Sequence, residues 1–323
     1  MKRHLHPRCK RLLELLSDGS FHTGTELGAI LETSRTTISK YVRQIQNLGL
    51  DVYVVKGKGY SLPNTVELLD EKRINDAVGG AQASCFDIID STNSYMMSYL
   101  DRFVPGSCVL AEAQTMGIGR GNTTWISPFG CQVIISMYWQ MKSSVIAGLS
   151  LAVGIATVRA LKKFNVTEAG LKWPNDIYAR NRKMAGILVE SRSTVYDKFH
   201  VVAGTGLNLV PAANLKSNTV NAIALNEITG GATVSRNDLV IEIIREYRRM
   251  MTEFESRGFA PLQDEWNAMD LYRGSRIRLV NKISGETIAE GIERGINRTG
   301  CILIEGSNGR LRDFSIGDVS LQL

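Results

Sequence analysis

Residues 111–130 read AEAQTMGIGRGNTTWISPFG. An apolar run leads into a glycine-broken basic loop, and Trp125 then opens a second apolar run. Gly117, Gly119 and Gly121 let backbone N–H groups come close to a ligand, and Arg120 among them adds a fixed positive charge. That combination suits an anion such as a phosphate or a carboxylate. No Gly-Lys-Ser/Thr follows, so this is not a nucleotide P-loop, and Asn122 stands where a dinucleotide fingerprint needs its third glycine. The loop also runs into the strand-like CQVIISMYW and not into a helix. A plain hairpin with turn glycines is the alternative reading.

Around this loop the pattern from residue 81 onward is mixed α/β. SCFDIID and SCVLAEAQ read as strands, with STNSYMMSYL between them as a helix capped by Ser91 or Thr92. CQVIISMYW is followed by a helix in the apolar run Val145–Val158, then by LKWPNDIYA, then by MAGILVES and FHVVAGTGLNLV as a strand pair. The apolar run is too short to span a bilayer, which takes about 20 residues, so it predicts a buried helix and no membrane partner. Residues 235–255 and 261–269 read as helical. From Leu271, RIRLVN, GIERGI, CILIE and DVSLQL are short strands between glycine turns, the pattern of a small β-barrel.

The N-terminal sixty residues differ in kind. They carry 10 Lys+Arg against 5 Asp+Glu, so +5 of the chain's net +6 lies there. A basic module that meets polyanions, joined to a nearly neutral remainder, is the simplest reading. KRLLELLS and TELGAIL predict two short helices, and Thr33-Ser34-Arg35 turns into TTISKYVRQIQNL, where Ile38, Val42 and Ile45 recur at helical spacing. DVYVVKGKGYSL then predicts a hairpin wing. Ser34, Arg35, Thr36, Thr37, Ser39, Lys40 and Arg43 would face outward on the third helix, where short polar and basic side chains meet base edges and phosphates. A solvated basic helix in a protein-contact module is the competing reading.

The whole is long enough, at 323 residues, for two or three cores. Five cysteines with no CxxC pair indicate neither a disulfide framework nor a zinc site and fit a reducing cytoplasm. MKRHLHPRCK lacks the apolar core of a signal peptide.

Four segments of the central region stand out together: Asp90-Ser91-Thr92-Asn93, the glycine loop, Lys172-Trp173-Pro174-Asn175-Asp176 with Lys183-Met184-Ala185-Gly186, and Gly204-Thr205-Gly206-Leu207-Asn208. Each alone reads equally well as a helix cap, a tight turn or close-packed strand glycines. Their order and separation resemble those of biotin–protein ligases. With the winged helix in front, the chain resembles the bacterial members that are also repressors of biotin genes.

The resemblance implies an α+β multidomain protein. Its parts would be an N-terminal winged helix-turn-helix over 1–64, a linker over 65–80, a central mixed α/β catalytic domain of the biotin/lipoate-ligase type over 81–270, and a small SH3-like β-barrel over 271–323. It places Ser91, Thr92, Asn93 and Gln114 around the biotin ureido ring, whose two N–H donors and one carbonyl suit hydroxyl and amide partners. Gly204 and Gly206 would leave room for the bicyclic ring, Trp125 would wall the valeryl chain, and Gly117, Ile118 and Gly119 would line the loop side. Arg120 and Lys183 would face the biotin carboxylate and the ATP phosphates as the catalytic pair. Lys172, Asn175 and Asn208 would lie on the nucleotide side, and Asn175 and Asp176 would orient the metal or the loop. Mg²⁺ would be held mainly through the ATP phosphates.

Attack of a carboxylate on the α-phosphate brings anion to anion, so cations and N–H donors matter more than a general base. That accounts for the lack of a Ser/His/Asp or Cys/His set. The resemblance further implies biotinyl-5′-adenylate as intermediate and corepressor, a biotin carboxyl-carrier domain as acceptor, a homodimer and operator DNA as partners. Where the family's loop is usually GRGRxGR-like, this chain has Ile118, Gly121, Asn122 and Thr123 in place of basic or glycine residues, with Arg120 retained. Ala222–Leu225 matches the adenine-side loop. A ligase with a silent winged helix, a biotin sensor without chemistry and a lipoate ligase are the rival readings.

Overall fold

The computed structural model describes residues 4–63, 66–142, 146–193, 199–211, 221–232, 234–317 and 319–322. At the N-terminus, α1 (Pro7–Leu16), α2 (Gly24–Ile30) and α3 (Arg35–Asn47) are followed by a hairpin of β1 (Tyr53–Val55) and β2 (Gly59–Ser61). Each helix begins where the sequence supplies a cap. Thr23 and Glu26 form a reciprocal capping box on α2, and the Ser34 hydroxyl accepts from Thr37 N at 3.1 Å on α3. Leu12, Leu13, Leu16, Leu27, Ile38, Val42 and Ile45 bury one face of each helix together.

The central sheet runs in the order β3 (Ala83–Ile89), β4 (Cys108–Ile118), β6 (Gln132–Met141), β10 (Phe199–Asn208), β9 (Arg182–Ser193), β8 (Asp176–Ala179) and β7 (Gly170–Lys172), with β5 (Thr124–Ser127) paired to β4. Among the described strand pairs of this sheet only β3–β4 is parallel. Strand alternation separates two faces. Val133, Ile135 and Met137 of β6 join Val201, Ala203 and Leu207 of β10 in a core covered by α6 (Leu149–Lys162) and α8 (Arg236–Arg257). α6 is buried almost all round, as its apolar run requires, although Val145 lies outside the described residues. Tyr247 of α8 bonds Thr157 of α6 and Thr205 of β10 at 2.7 and 2.6 Å. The other face of β6 and β10 shows Ile134, Ser136, Gly204 and Gly206, with α5 (Thr92–Ser98) lying across β4, β6 and β10.

Residues 66–78, within the expected linker over 65–80, are packed. α4 (Glu71–Val78) contributes Ile74 to the central core, and Glu67 sits on the N-terminus of α8, accepting from Arg236 N at 2.5 Å and Ser235 Oγ at 3.1 Å. The winged helix is docked as well. Phe129, Cys131, Ala113 and Val66 complete its hydrophobic core, Phe129 N donates to Leu48 O at 3.3 Å, and buried Asp87 of β3 accepts from Leu5 N at 2.9 Å and pairs with Lys10 at 2.5 Å.

After α7 (Leu225–Ile228), α8 and α9 (Gln263–Met269), the C-terminal part is a five-stranded antiparallel sheet, β14 (Leu311–Phe314)–β13 (Ile302–Glu305)–β12 (Thr287–Ile296)–β11 (Arg276–Asn281)–β15 (Val319–Gln322). β14 is a strand the sequence does not announce, because LRDF is mostly exposed and lacks an apolar alternation. Ile277, Leu279, Ile302, Ile304 and Leu321 are continuous with the central core. All five cysteines are free thiols. No helix among the described residues is long and apolar enough to cross a membrane.

The glycine loop needs one correction. β4 continues through Gly117 and Ile118, so Gly117 belongs to a strand and not to the loop. It faces Trp125 of β5 across a register shift, and a Cβ there would lie 2.3 Å from Trp125 O. Close strand approach, not turn geometry, requires that glycine. The turn itself is Arg120–Thr123, with φ +69° at Gly121, +57° at Asn122 and Gly119 N donating to Thr123 O at 2.7 Å. Two successive left-handed residues are what a tight hairpin favours.

Candidate active site

The face of the sheet carrying α5 opens into a cleft of about 870 Å³ including its mouth. Ser91, Thr92, Asn93, Gln114, Ile118, Gly119, Arg120, Trp125, Lys172, Asn175, Lys183, Gly204 and Gly206 all line it. Gly117 and Asn208 do not. Asn208 is buried beside the cleft, where Gln132 Nε2 donates to its Oδ1 at 2.8 Å and its amide reaches the Lys183 and Ile223 carbonyls.

The inner end is neutral and fully bonded. Ser91 caps α5, its hydroxyl accepting from Ser94 N at 3.3 Å. Thr92 N donates to Gln114 Oε1 at 2.8 Å, which turns the Gln114 amino group toward Ser127 Oγ at 3.1 Å. Ser136 Oγ lies 2.7 Å from Thr92 Oγ1 and 2.5 Å from Asn93 Oδ1. The strand glycines make room for this furniture: a Cβ on Gly204 would stand 2.1 Å from Asn93 Oδ1, and one on Gly206 2.4 Å from the Trp125 ring. Trp125 Nε1 in turn donates to Gln132 Oε1 at 3.2 Å.

The outer end is cationic. Lys183 pairs with Asp176 at 2.7 Å and stands 5.6 Å from the Trp125 ring centroid. Its backbone lies at a register shift between β8 and β9 and bonds Asn221 O and Ile223 N, so residues 221–223 extend that edge of the sheet. Lys172 lies 4.6 Å from the Tyr178 ring and 5.3 Å from the Tyr272 ring. Burial pulls its pKa down, opposed by Asp176. Arg120 donates to Gly317 O at 2.6 Å and to Val319 O, so the loop is tied to the C-terminal sheet. Asn175 holds the β8–β9 crossing by donating to Ile187 O at 2.7 Å, which supports the turn reading of WPND.

Among the described residues, Asp176 is the only carboxylate that lines the cleft, and no three His, Cys, Asp or Glu side chains gather to hold a metal. A cation that arrives on nucleotide phosphates fits this lining better than a resident one. Lys282, Ser320 and Leu321 of the C-terminal sheet also line the cleft, and the sequence reading misses them together with Ser136. Ser136 left a signal, a lone hydroxyl in the apolar run CQVIISMYW; Lys282, in a surface turn, left none.

On the winged helix, Ser34, Arg35, Thr36, Lys40 and Arg43 of the candidate set are exposed. Thr37 and Ser39 are half-buried: Thr37 closes the Ser34 cap, and Ser39 meets Tyr60 of the wing at 3.0 Å.

A helix-turn-helix in front, a cleft-bearing sheet and a small C-terminal sheet match, part by part, a ligase of the biotin/lipoate class with a DNA-binding-type module attached. Family models match in chain order: an HTH domain over residues 8–61, the biotin/lipoate A/B protein ligase family over 85–208, and the biotin protein ligase C-terminal domain over 274–322. The chain is 35% identical to the bifunctional ligase/repressor BirA of Escherichia coli (strain K12) over 314 residues, 97% of this chain and 96% of that protein. The Bacillus subtilis (strain 168) bifunctional ligase/repressor BirA is 26% identical over 97% of this chain and 98% of its own. The chain belongs to the biotin protein ligases, in the bifunctional ligase/repressor BirA family. A biotin protein ligase from Aquifex aeolicus, solved in complex with biotin and ATP, shares the fold with TM-score 0.63 at 24% identity, over 74% of this chain and 98% of that one.

Proposed function

We propose that the chain is an ATP-dependent biotin–protein ligase that also represses biotin genes through its winged helix. The observation that carries this reading is the polarity of the cleft. Hydroxyl and amide groups at one end suit a cyclic urea, and Arg120, Lys172 and Lys183 at the other suit a carboxylate meeting phosphates.

In the first step a biotin carboxylate oxygen bonds to the α-phosphorus of ATP and diphosphate leaves. Lys183 and Arg120 neutralise the charge that accumulates there, Lys172 supports the nucleotide side, and Mg²⁺ rides on the phosphates. In the second step the amine of a lysine on a carboxyl-carrier domain attacks the acyl carbon of biotinyl-5′-adenylate and AMP leaves. The enclosing loop and C-terminal sheet shield the mixed anhydride from water.

The adenylate also serves as corepressor. It favours a homodimer that sets two winged helices on a palindromic operator, with Arg35, Thr36, Lys40 and Arg43 reading it. By linkage, operator DNA favours the adenylate-bound dimer in return. A cytoplasmic location fits both activities and the five free thiols.

Intact-mass measurement of a biotin carrier domain incubated with the protein, biotin, ATP and Mg²⁺ tests the chemistry, with lipoate as the parallel control. A biotin-sized gain confined to biotin is expected. No gain from a folded protein that binds biotin makes it a sensor without chemistry.

A further inference from the structure

Across the sheet face that floors the inner cleft, Ser136 of β6, Gly204 of β10 and Leu188 of β9 stand in register, with Glu190 two residues along β9 on the same side. Asn93 spans this row. Its amide lies over the bare Cα of Gly204, its Oδ1 accepts from Ser136 Oγ at 2.5 Å, and its Nδ2 donates to Glu190 Oε2 at 2.9 Å and Leu188 O at 3.3 Å. Asn93 is almost wholly buried, so the sense of its amide is set by these partners and not by water.

An amide can be turned end for end with little change in shape, and the two senses present opposite hydrogen-bonding edges. In one sense the edge of Asn93 turned away from Glu190 carries an oxygen; in the other, an N–H. Ser136 does not choose between them, because a hydroxyl donates or accepts. The Leu188 carbonyl is a longer contact than the carboxylate. A carboxylate only accepts when ionised, so Glu190 is the strongest group that admits one sense alone.

We infer that Glu190 is a positioning residue that locks Asn93 with its oxygen toward the cleft, and so makes the inner end selective for a ligand edge that carries N–H donors. This deepens the ligase reading and rests on it. Under that reading the edge is the ureido group of biotin, and Glu190 acts on it only through Asn93. Neither a dithiolane ring nor any other edge without N–H donors gains from this acceptor.

The test is a set of biotin dissociation constants measured by calorimetry on the full chain, for the unmodified protein, Glu190→Leu, Glu190→Gln, Asn93→Ala and the double variant Asn93→Ala/Glu190→Leu, with unfolding temperature as the folding control. Glu190→Leu removes the acceptor and is expected to weaken biotin about tenfold while leaving the KM for ATP in place. Glu190→Gln keeps the size but can turn either an oxygen or an N–H toward Asn93, so it no longer admits one sense alone and is expected to weaken biotin by about threefold to tenfold. Because Glu190 works through Asn93, the double variant should bind no worse than Asn93→Ala alone. Unchanged affinity in a folded Glu190→Leu overturns the inference, as do additive losses in the double variant or a Glu190→Gln that binds biotin as tightly as the unmodified protein. Failure of the unmodified protein to bind biotin sinks the ligase reading instead, so the two failures are distinct.

Discussion

The two ends of the cleft are built on opposite plans. At the inner end, Ser91, Thr92, Asn93 and Ser136 are buried and uncharged, and are bonded to one another, to neighbouring main chain and to the side chains of Gln114 and Glu190. At the outer end, the cations rest on partners that a ligand can replace: Asp176 for Lys183, two carbonyls for Arg120, two tyrosine rings for Lys172. Neutral recognition is cheapest when its hydrogen bonds are fixed beforehand, since every group left unmatched in a buried site costs about 1–3 kcal/mol. Charge neutralisation works differently. A cation is useful in a reaction only if its interactions strengthen as charge develops, so a partner that can be exchanged for phosphate is an advantage.

If the ends are separable, the largest effect should come from Lys183→Ala. Adenylation should slow by on the order of 3 kcal/mol, roughly a hundredfold, while biotin affinity changes only slightly. Single-turnover adenylation beside calorimetry checks both, and an equal loss in the two breaks the distinction. Gly204→Ala is the converse, since the added Cβ would drive into Asn93 Oδ1. It should cost about 1–3 kcal/mol in biotin binding with turnover at saturating biotin largely kept. A lower kcat with normal affinity would show that Asn93 is not part of recognition.

Arg35→Ala touches neither end. Operator binding should weaken by about tenfold and the salt slope should flatten, with carrier biotinylation unchanged. A gel shift on the operator alongside the mass assay decides this, and a joint loss of both would mean that the exposed start of α3 is not a separate function.

The smallest effect concerns the floor beneath Lys172. Glu293 of β12 is fully buried, and burial with the Asp270 carboxylate beside it pushes its pKa well above the ordinary carboxylate range. A raised folded value means that the protonated form favours the fold. That stability is complete below the unfolded value and is lost as pH rises through the folded one. Glu293→Gln, permanently neutral, should therefore lose less in Tm than the unmodified protein between about pH 5 and about pH 9. Parallel Tm curves would place the strain elsewhere.

Much of this architecture is legible in the sequence because local rules and tertiary packing agree. Ser34 and Thr23 cap where they should, the apolar run of α6 is buried, and Gly204 and Gly206 fall on the cleft face by simple alternation from Val202. The rest depends on contacts remote in the chain. Gly117 reads as a turn residue because close approach to Trp125 leaves the same mark as a left-handed φ. Asn208 reads as a site residue because it sits in a site motif, yet its amide is spent on the main chain of Lys183 and Ile223. Glu190 and Lys282 have no local signature at all, since one acts through Asn93 and the other reaches the cleft from a different sheet.

The docking of the winged helix has a consequence for DNA. A reader on a loose tether can follow an operator whose half-sites drift apart, because the tether absorbs the change. Here Phe129 bonded to Leu48, Asp87 bonded to Lys10 and Leu5, and a shared hydrophobic core leave no slack between reader and catalytic body. In a two-fold pair the distance between recognition helices is then a fixed length, set by how the catalytic bodies meet. Under the proposed dimer the protein would act as a ruler, and one base pair inserted between half-sites should be felt about as keenly as a mismatch within them.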